Sequence, residues 1–380
     1  MSSLMPAVDL ALSEEHRQIA QAVEDLLARE SDSATVRRAA FAGDGFDRAL
    51  WRKVADLGVC GIHLPEAQGG LGLGITELAL AAEAFGRHLA CVPWLESTVL
   101  AGTALLIARD ESAIHRWLPG LAGGEAPATM DIGLVTAPAV SATRVHGAWK
   151  LDGRLPAVPA AAAARWLLLL AQSDGGPLLV RLPLDAPGVE RRARPTHDAT
   201  RPVAEVRLET VVIGDEDVLA HDGTATRVVQ RTQQVAAVVL AAEQVGIAQR
   251  CMDLTVDYLG QRVQFGRPLA SFQALKHRCA QMMTAIELSR SAVLGAARAF
   301  DAQPDAPTLL RLAAMARCQA DEAAQFCTQE AIQLHGGVGF TWDYDPQLFF
   351  KRAQAARAWL GTPAAWRERV AAQLLDVEAA

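Results

Sequence analysis

The sequence predicts a mostly helical α+β protein in three parts: an N-terminal helical domain over 1–118, a small β domain over 119–221 and a C-terminal helical region over 222–380. Three observations predict it. Apolar residues recur at helical spacing from Leu12 to about Leu118 and again from Asp222 onward. Between Pro119-Gly120 and about Ala220, Pro and Gly become dense and short Val/Leu runs replace the helical stripes. The composition is rich in Ala, Leu and Val and holds only 2 Tyr, which suits closely packed helices because Ala has the best helix propensity and lets backbones approach.

Each part has its own signals. Ser13 is a candidate N-cap with Glu14 and Glu15 in the first turn, and Ile19, Val23, Leu26 and Leu27 then form an apolar stripe. Trp51, Val54, Leu57 and Val59 repeat the pattern before the loop Pro65–Gly74. The glycines of that loop could cradle a phosphate, but no Lys-Ser/Thr follows and no strand clearly precedes, so a structural loop is the favoured reading. Helix is expected again over Thr76–Phe85 and Ser97–Ala108. In the middle part, Ile132–Val135, Trp149–Leu151, Trp166–Leu170, Leu178–Leu182, Val203–Leu208 and Val211–Ile213 read as short strands. The stripe Leu309, Leu312, Ala316, Ala320, Ala323, Cys327 and Leu334 marks a long helix near the C-terminus.

Composition excludes several function classes. The net charge is −7 with no Lys/Arg run, which argues against a nucleic-acid surface. Six cysteines show no CxxC pair, so they read as buried thiols in a reducing compartment rather than as a disulfide frame or zinc site, and no metal is expected. The N-terminus lacks a basic segment followed by an apolar one, and the apolar run Ala160–Ala171 is broken by Arg165 and too short to span a bilayer. A cytoplasmic protein without a membrane partner is expected.

Two segments carry the chemistry. In 258–273, Arg262 precedes Gln264-Phe265-Gly266, followed by Pro268, Phe272 and Gln273. A guanidinium, an aromatic face and a tight backbone at one corner suit a large anionic ligand with a flat ring system; the plainer reading is a turn between two helices. In Gln333-Leu-His-Gly-Gly-Val-Gly-Phe340, glycines 336, 337 and 339 allow backbone N–H groups to approach a ligand, and Gln333 offers an amide. The segment does not match G-x-G-x-x-G and follows no strand, so a Rossmann reading fails and a glycine-rich helix cap is the alternative. His335 has no metal-ligand partner at suitable spacing and reads as packing or a hydrogen bond.

With the layout and the loop at Pro65-Glu66…Gly69-Gly70, these two motifs resemble the acyl-CoA dehydrogenases over nearly the whole chain. The resemblance implies a C-terminal four-helix bundle, FAD as cofactor, an acyl-CoA substrate and electron-transfer flavoprotein or a similar acceptor. It further implies a homo-oligomer or a heteromer with a homologous subunit. It places Arg262 on the pyrophosphate of a neighbouring subunit's FAD, with Phe265 and Gln273 beside the cofactor. Gln333, Gly336 and Gly337 match contacts to the adenosine half, and Gly361-Thr362 matches a Gly-Thr lying near FAD. The implied reaction removes a proton at Cα of the thioester and transfers the β hydride to flavin N5.

The chain departs from that pattern twice. The family's base is a Glu immediately before Gly-Thr, here Leu360, or a Glu on the first long helix after the β domain, here aligned with Ala236. Neither residue can take a proton. Glu243 lies about two helical turns beyond Ala236 at the end of the apolar run Val235–Ala242. A carboxylate there is either desolvated at a site, as the catalytic base, or paired with an Arg. Asp343, Asp345 and Glu330 read as solvated. The second departure is in the β domain, where the family's acidic-Pro…Gly-Ser-Asp loop is missing around Met130–Ala139, with Thr136 as its candidate remnant. The Ala-Ala-Glu-Gln-Val-Gly sequence and Trp359-Leu360-Gly361 resemble a bacterial branch associated with steroid and other bulky acyl-CoA substrates, several of whose members act as heteromeric pairs. The rival expectations are a non-catalytic or half-site subunit that lends FAD contacts to a partner, and a family-fold enzyme of another reaction.

Overall fold

A computed structural model describes residues 11–131 and 139–375. The expected strand Ile132–Val135 and Thr136 lie outside the described residues. The chain divides into two compact units, one made of Ala34–Gly74 and Cys91–Ala236, the other of Met1–Ser33, Ile75–Ala90 and Ala237–Ala380.

The first unit combines short helices with a twisted sheet. Its helical part holds α2 (Ser33–Arg37, whose first residue falls in the other unit), α3 (Arg48–Asp56), a π-helix Leu95–Gly102 that runs into α5 (Thr103–Ala108), and α6 (Glu111–Ala122). Asp47 and Asp110 cap α3 and α6 by accepting two backbone N–H bonds each. Helix α6 continues through Pro119-Gly120, where the sequence suggests a change of character, and ends at Ala122. The expected helix over Ser97–Ala108 is therefore real but half of it is π-wound, a geometry that carries no simple sequence signature.

The sheet contains β1 (Ala128–Met130), β2 (Val140–Val145), β3 (Ala148–Pro159), β4 (Trp166–Ser173), β5 (Gly176–Pro183), β6 (Val189–Arg194), β7 (Val203–Ile213) and β8 (Val218–His221), in the order β6-β7-β3-β2-β4-β5-β8, with β1 parallel to β4. Leu155, Val158, Leu167, Leu169, Val180, Leu182, Val206 and Leu208 fill its core. The two runs read separately as Val203–Leu208 and Val211–Ile213 form one strand, because Thr210 adopts φ 54° at a bulge and its N–H donates to Asp152 at 2.7 Å. Strand β6, VERRAR, gives no apolar alternation because it lies at the sheet edge with both faces largely exposed.

The second unit is helical: α1 (Glu14–Glu30), α4 (Ile75–Arg87), most of the 40-residue α7 (Asp222–Gln261), α8 (Gln273–Ala302), α9 (Leu309–His335), α10 (Pro346–Ala356) and α11 (Pro363–Leu375). The Ser13 cap forms as expected, and His16 completes a capping box with it. Helix α7 is long and apolar enough to cross a membrane, yet Val235–Ala242 is mostly buried, with Val235 4% exposed and Ala236–Ala241 fully enclosed, so its apolarity serves a protein core. Helices α4 and α7 cross at glycines. A Cβ at Gly86 would meet the Glu243 carbonyl at 2.0 Å, and one at Gly246 would meet the Glu83 carbonyl at 1.9 Å. The Glu243-Gln-Val-Gly246 sequence is thus the floor of a backbone-to-backbone crossing.

Candidate functional site

At the C-terminal end of α7 the Arg262 N–H donates to the Tyr258 carbonyl at 2.8 Å and the Leu269 N–H donates to the Arg262 carbonyl at 2.8 Å. Between these bonds the chain makes a two-strand arm, β9 (Val263–Gln264) paired antiparallel with β10 (Arg267–Pro268). Its turn residues Phe265 and Gly266 have φ of 54° and 76°. Two positive φ values in a row suit the right-handed twist of a tight hairpin. For Gly266 this conformation is free; for Phe265 it is strained. The strain holds the Phe265 ring outward at 89% exposure, with only an edge-on contact to Phe272 at 6.1 Å. Arg267 stacks on the other ring, 4.0 Å from the Phe272 centroid. Among the described residues no carboxylate pairs with Arg262, and its side chain is exposed. Gln273, the first residue of α8, is exposed.

Helix α9 ends at His335, and Gly336 follows at φ 65°, ψ −144°, a conformation open only to glycine. Gln333 is exposed on the last turn, and its carbonyl accepts the Gly336 N–H. A Cβ at Gly336 or Gly337 would meet nothing within 4 Å, so this backbone faces open space. Gly339 differs: its Cβ would strike the Ile332 carbonyl at 2.6 Å, so this glycine seats the turn against α9.

Leu360 and Gly361 form a third corner, with φ of 58° and 103°. A left-handed leucine is strained, and such strain concentrates at functional positions. The Leu360 side chain is 2% exposed, whereas Thr362 is exposed and its hydroxyl accepts the Ala365 N–H at 3.2 Å, capping α11. The Cys318 thiol contacts the Pro363 carbonyl at 3.7 Å, which ties this corner to the first half of α9. Cys318 and Gln333 are about 22 Å apart along the helix at 1.5 Å per residue. Tyr258, whose carbonyl starts the arm, stacks on His335, so the base of the arm lies at the C-terminal end of α9, whereas the Thr362 corner lies towards the other end.

Glu243 is 3% exposed, and its Oε1 accepts from Arg352 on α10 at 3.0 Å, with Arg352 itself 2% exposed. The next residue, Gln244, serves a second buried cluster. Its Oε1 accepts from Arg317 at 2.6 Å, its Nε2 donates to Asp321 at 3.1 Å, and Arg317 also donates to the Ala356 carbonyl at 2.6 Å. Burial lowers the pKa of the Arg317 guanidinium, while Asp321 opposes that shift. Successive residues of α7 thus pin α10 through an ion pair and α9 through hydrogen bonds to charged groups. Sequence reasoning names an arginine partner for Glu243 as an alternative but has no means of finding Arg352, which is 109 residues away.

The Pro65–Gly74 loop spends the amides of residues 69–73 on its own carbonyls and on those of the segment just before it. Gly69 donates to Glu66, Gly70 to Pro65, Leu71 to Gly61, Gly72 to Leu64 and Leu73 to Ile62, and a Cβ at Gly70 would lie 2.0 Å from the Leu64 carbonyl. Its glycines permit close folding rather than anion binding. All six cysteines are free, and no group of three His, Cys, Asp or Glu among the described residues could hold a metal.

The flavin expected from the sequence fits these residues. A flat dianionic cofactor is suited by an exposed guanidinium, an outward ring and a backbone that it can approach closely. Arg262, Phe265 and Gly336–Gly337 supply them, and none of these groups completes the chain's own core.

Comparison with known proteins agrees. Residues 13–125 match the family model described as acyl-CoA dehydrogenase, N-terminal domain, and residues 224–375 match that of the acyl-CoA dehydrogenase C-terminal domain. The chain is 33% identical over 351 residues to the acyl-CoA dehydrogenase IpdE2 of Mycobacterium tuberculosis, covering 92% of this chain and 94% of that one. Among solved structures it superposes on a chain of the ChsE4-ChsE5 complex from Mycobacterium tuberculosis with TM-score 0.89 at 26% identity, covering 97% and 99% of the two chains. It also superposes on a chain of a variant of the Tcur3481-Tcur3483 steroid ACAD with TM-score 0.86 at 30% identity, covering 97% and 99%. From the two family models, the identity to IpdE2 and the shared fold, this chain belongs to the acyl-CoA dehydrogenase family.

Proposed function

We propose that the chain takes part in the flavin-dependent α,β-dehydrogenation of an acyl-CoA thioester as the flavin-gripping subunit of a heteromeric enzyme whose proton-abstracting carboxylate comes from a homologous partner. FAD is the cofactor of this family; when bound, it accepts the hydride from the β carbon. The observation that carries the reading is the engagement of Glu243. The two positions where the family keeps its base are Leu360 and Ala236, and the remaining nearby carboxylate is held inside the bundle by Arg352 at 3.0 Å. A base must be close to the proton that it takes and free to accept it. A carboxylate locked to a buried guanidinium is instead committed to the fold, since releasing either partner leaves an uncompensated charge.

What this chain's residues do is bind and orient. Arg262 forks onto phosphate oxygens, Phe265 lies against the flat part of the cofactor, and the unobstructed backbone at Gly336–Gly337 lets the cofactor approach closely. Thr362 offers a hydroxyl to a flavin at a separate corner. Two of the similar solved structures are complexes of two differently named chains, ChsE4-ChsE5 and Tcur3481-Tcur3483, and the second is a steroid ACAD. These support a paired assembly and a bulky acyl group. Another similar chain, with TM-score 0.90 at 25% identity, comes from a structure described as an electron transferring flavoprotein of Acidaminococcus fermentans, which supports an acceptor of that kind. The free thiols support a reducing, cytoplasmic setting.

The test is production of the chain alone and together with a homologous subunit, followed by measurement of FAD per chain and bleaching of the flavin by acyl-CoA. One FAD per two chains, with bleaching unchanged by Glu243→Gln in correctly folded protein, is the expected result. One FAD per chain in the isolated protein, with bleaching abolished by Glu243→Gln while FAD content is retained, would instead make Glu243 the base.

A further inference from the structure

The arm at Arg262 and the turn at Gly336–Gly337 are distant in sequence and meet through one ring. The chain has only 2 tyrosines, and both pack on His335. Tyr258 stacks on it with centroids 4.4 Å apart and planes 22° apart, Tyr344 meets it edge-on at 6.0 Å, and the two tyrosines contact each other at 6.1 Å. His335 is 4% exposed, and burial lowers its pKa, so the ring is neutral at pH 7. Its Nδ1 lies 2.6 Å from the Ala331 carbonyl. A carbonyl only accepts, so Nδ1 carries the proton, and the bond sets the ring's orientation across the last turn of α9.

Each neighbour of that ring leads to a flavin-gripping element. The Tyr258 carbonyl accepts the Arg262 N–H that starts the arm, at 2.8 Å. His335 itself immediately precedes the left-handed Gly336. Tyr344 ends the loop after the glycine turn, whose next residue, Asp345, accepts from the Ser33 hydroxyl at 2.7 Å. Moving the ring therefore moves the base of the arm relative to the open glycine backbone. We propose that His335 is a positioning residue that holds the Arg262 arm and the Gly336–Gly337 turn in register, so that both grip one flavin. The proposal rests on the flavin reading given above.

The test is FAD titration of the deflavinated assembly, followed by flavin fluorescence quenching, for His335→Ala, His335→Phe, Arg262→Ala and the double variant His335→Ala/Arg262→Ala. His335→Ala is expected to weaken FAD binding about tenfold, the scale of losing an aromatic contact and its preorganisation. His335→Phe, which keeps a stacking ring, should restore affinity to within about threefold of the parent. Because His335 acts through the arm, the double variant should bind about as weakly as Arg262→Ala alone rather than multiply the two losses. Full affinity in His335→Ala, or losses that multiply, overturns the proposal. Should His335→Ala fail to fold, Tyr344→Leu at its half-exposed site takes its place, with a loss of about threefold expected and unchanged affinity overturning the idea. Full FAD affinity in Arg262→Ala overturns the flavin reading of the arm itself, an outcome distinct from failure at His335 alone.

Discussion

Along α7, the stretch Val235–Gly246 and the arm that follows Gln261 differ in how their groups are satisfied. In the first, every side chain from Val235 to Ala242 is buried, Glu243 and Gln244 are answered by Arg352 and Arg317, and Gly246 lies against the Glu83 carbonyl. In the second, Arg262 has no carboxylate partner among the described residues, Val263 is 54% exposed and Phe265 is 89% exposed in a strained conformation. A region that closes its own hydrogen bonds and volume specifies a fold. A region that bears strain and leaves an aromatic ring in water is arranged for something outside the chain. The charged residue best placed to look catalytic, Glu243, falls in the first kind of region.

That comparison can be broken in graded ways. The largest effect is expected from Arg352→Met, which strands the buried Glu243 carboxylate and should cost about 3–5 kcal/mol of unfolding free energy in urea titrations. The pair replacement Glu243→Leu/Arg352→Met should recover most of that loss. A single variant as stable as the parent would show that the pair does not hold the bundle. Gly246→Ala comes next: its methyl group would be forced against the Glu83 carbonyl, and the same titration should register about 1–3 kcal/mol. A neutral Gly246→Ala would mean that α4 and α7 do not cross in backbone contact. The smallest effect on folding belongs to the arm. Phe265→Gly removes the left-handed strain and should change stability by no more than about 1 kcal/mol, in the stabilising direction, while FAD affinity falls. A marked destabilisation would mean that the ring packs for the fold rather than for a ligand.

Local signals are legible in the sequence and long-range ones are not. The Ser13 cap, the Pro65–Gly74 loop and the glycine-rich stop of α9 rest on residues close together in sequence, and the structure shows each of them. The sheet is recognisable where strands lie in its core, as in β4 and β5, because burial imposes apolar runs there. It is hidden at β6, where exposure removes that pressure, and β7 reads as two strands because the bulge at Thr210 looks like a turn. A single His beside glycines carries no pattern, so the sequence assigns His335 no more than packing or a hydrogen bond. Its significance lies in Tyr258 and Tyr344, which reach it from opposite directions along the chain.

The sequence by itself carried the resemblance to the family and, through it, the expected cofactor, because motifs such as Arg262-Val-Gln-Phe-Gly and Gln333-Leu-His-Gly-Gly are contiguous and can be matched without the fold. Only the tertiary structure decided what Glu243 touches and what joins the two motifs. Both answers depend on side chains brought together by helix packing, Arg352 from α10 in one case and two tyrosines from either side of α9 in the other. The electrostatic state of a buried carboxylate is set by its neighbours in space, and its own sequence context names none of them.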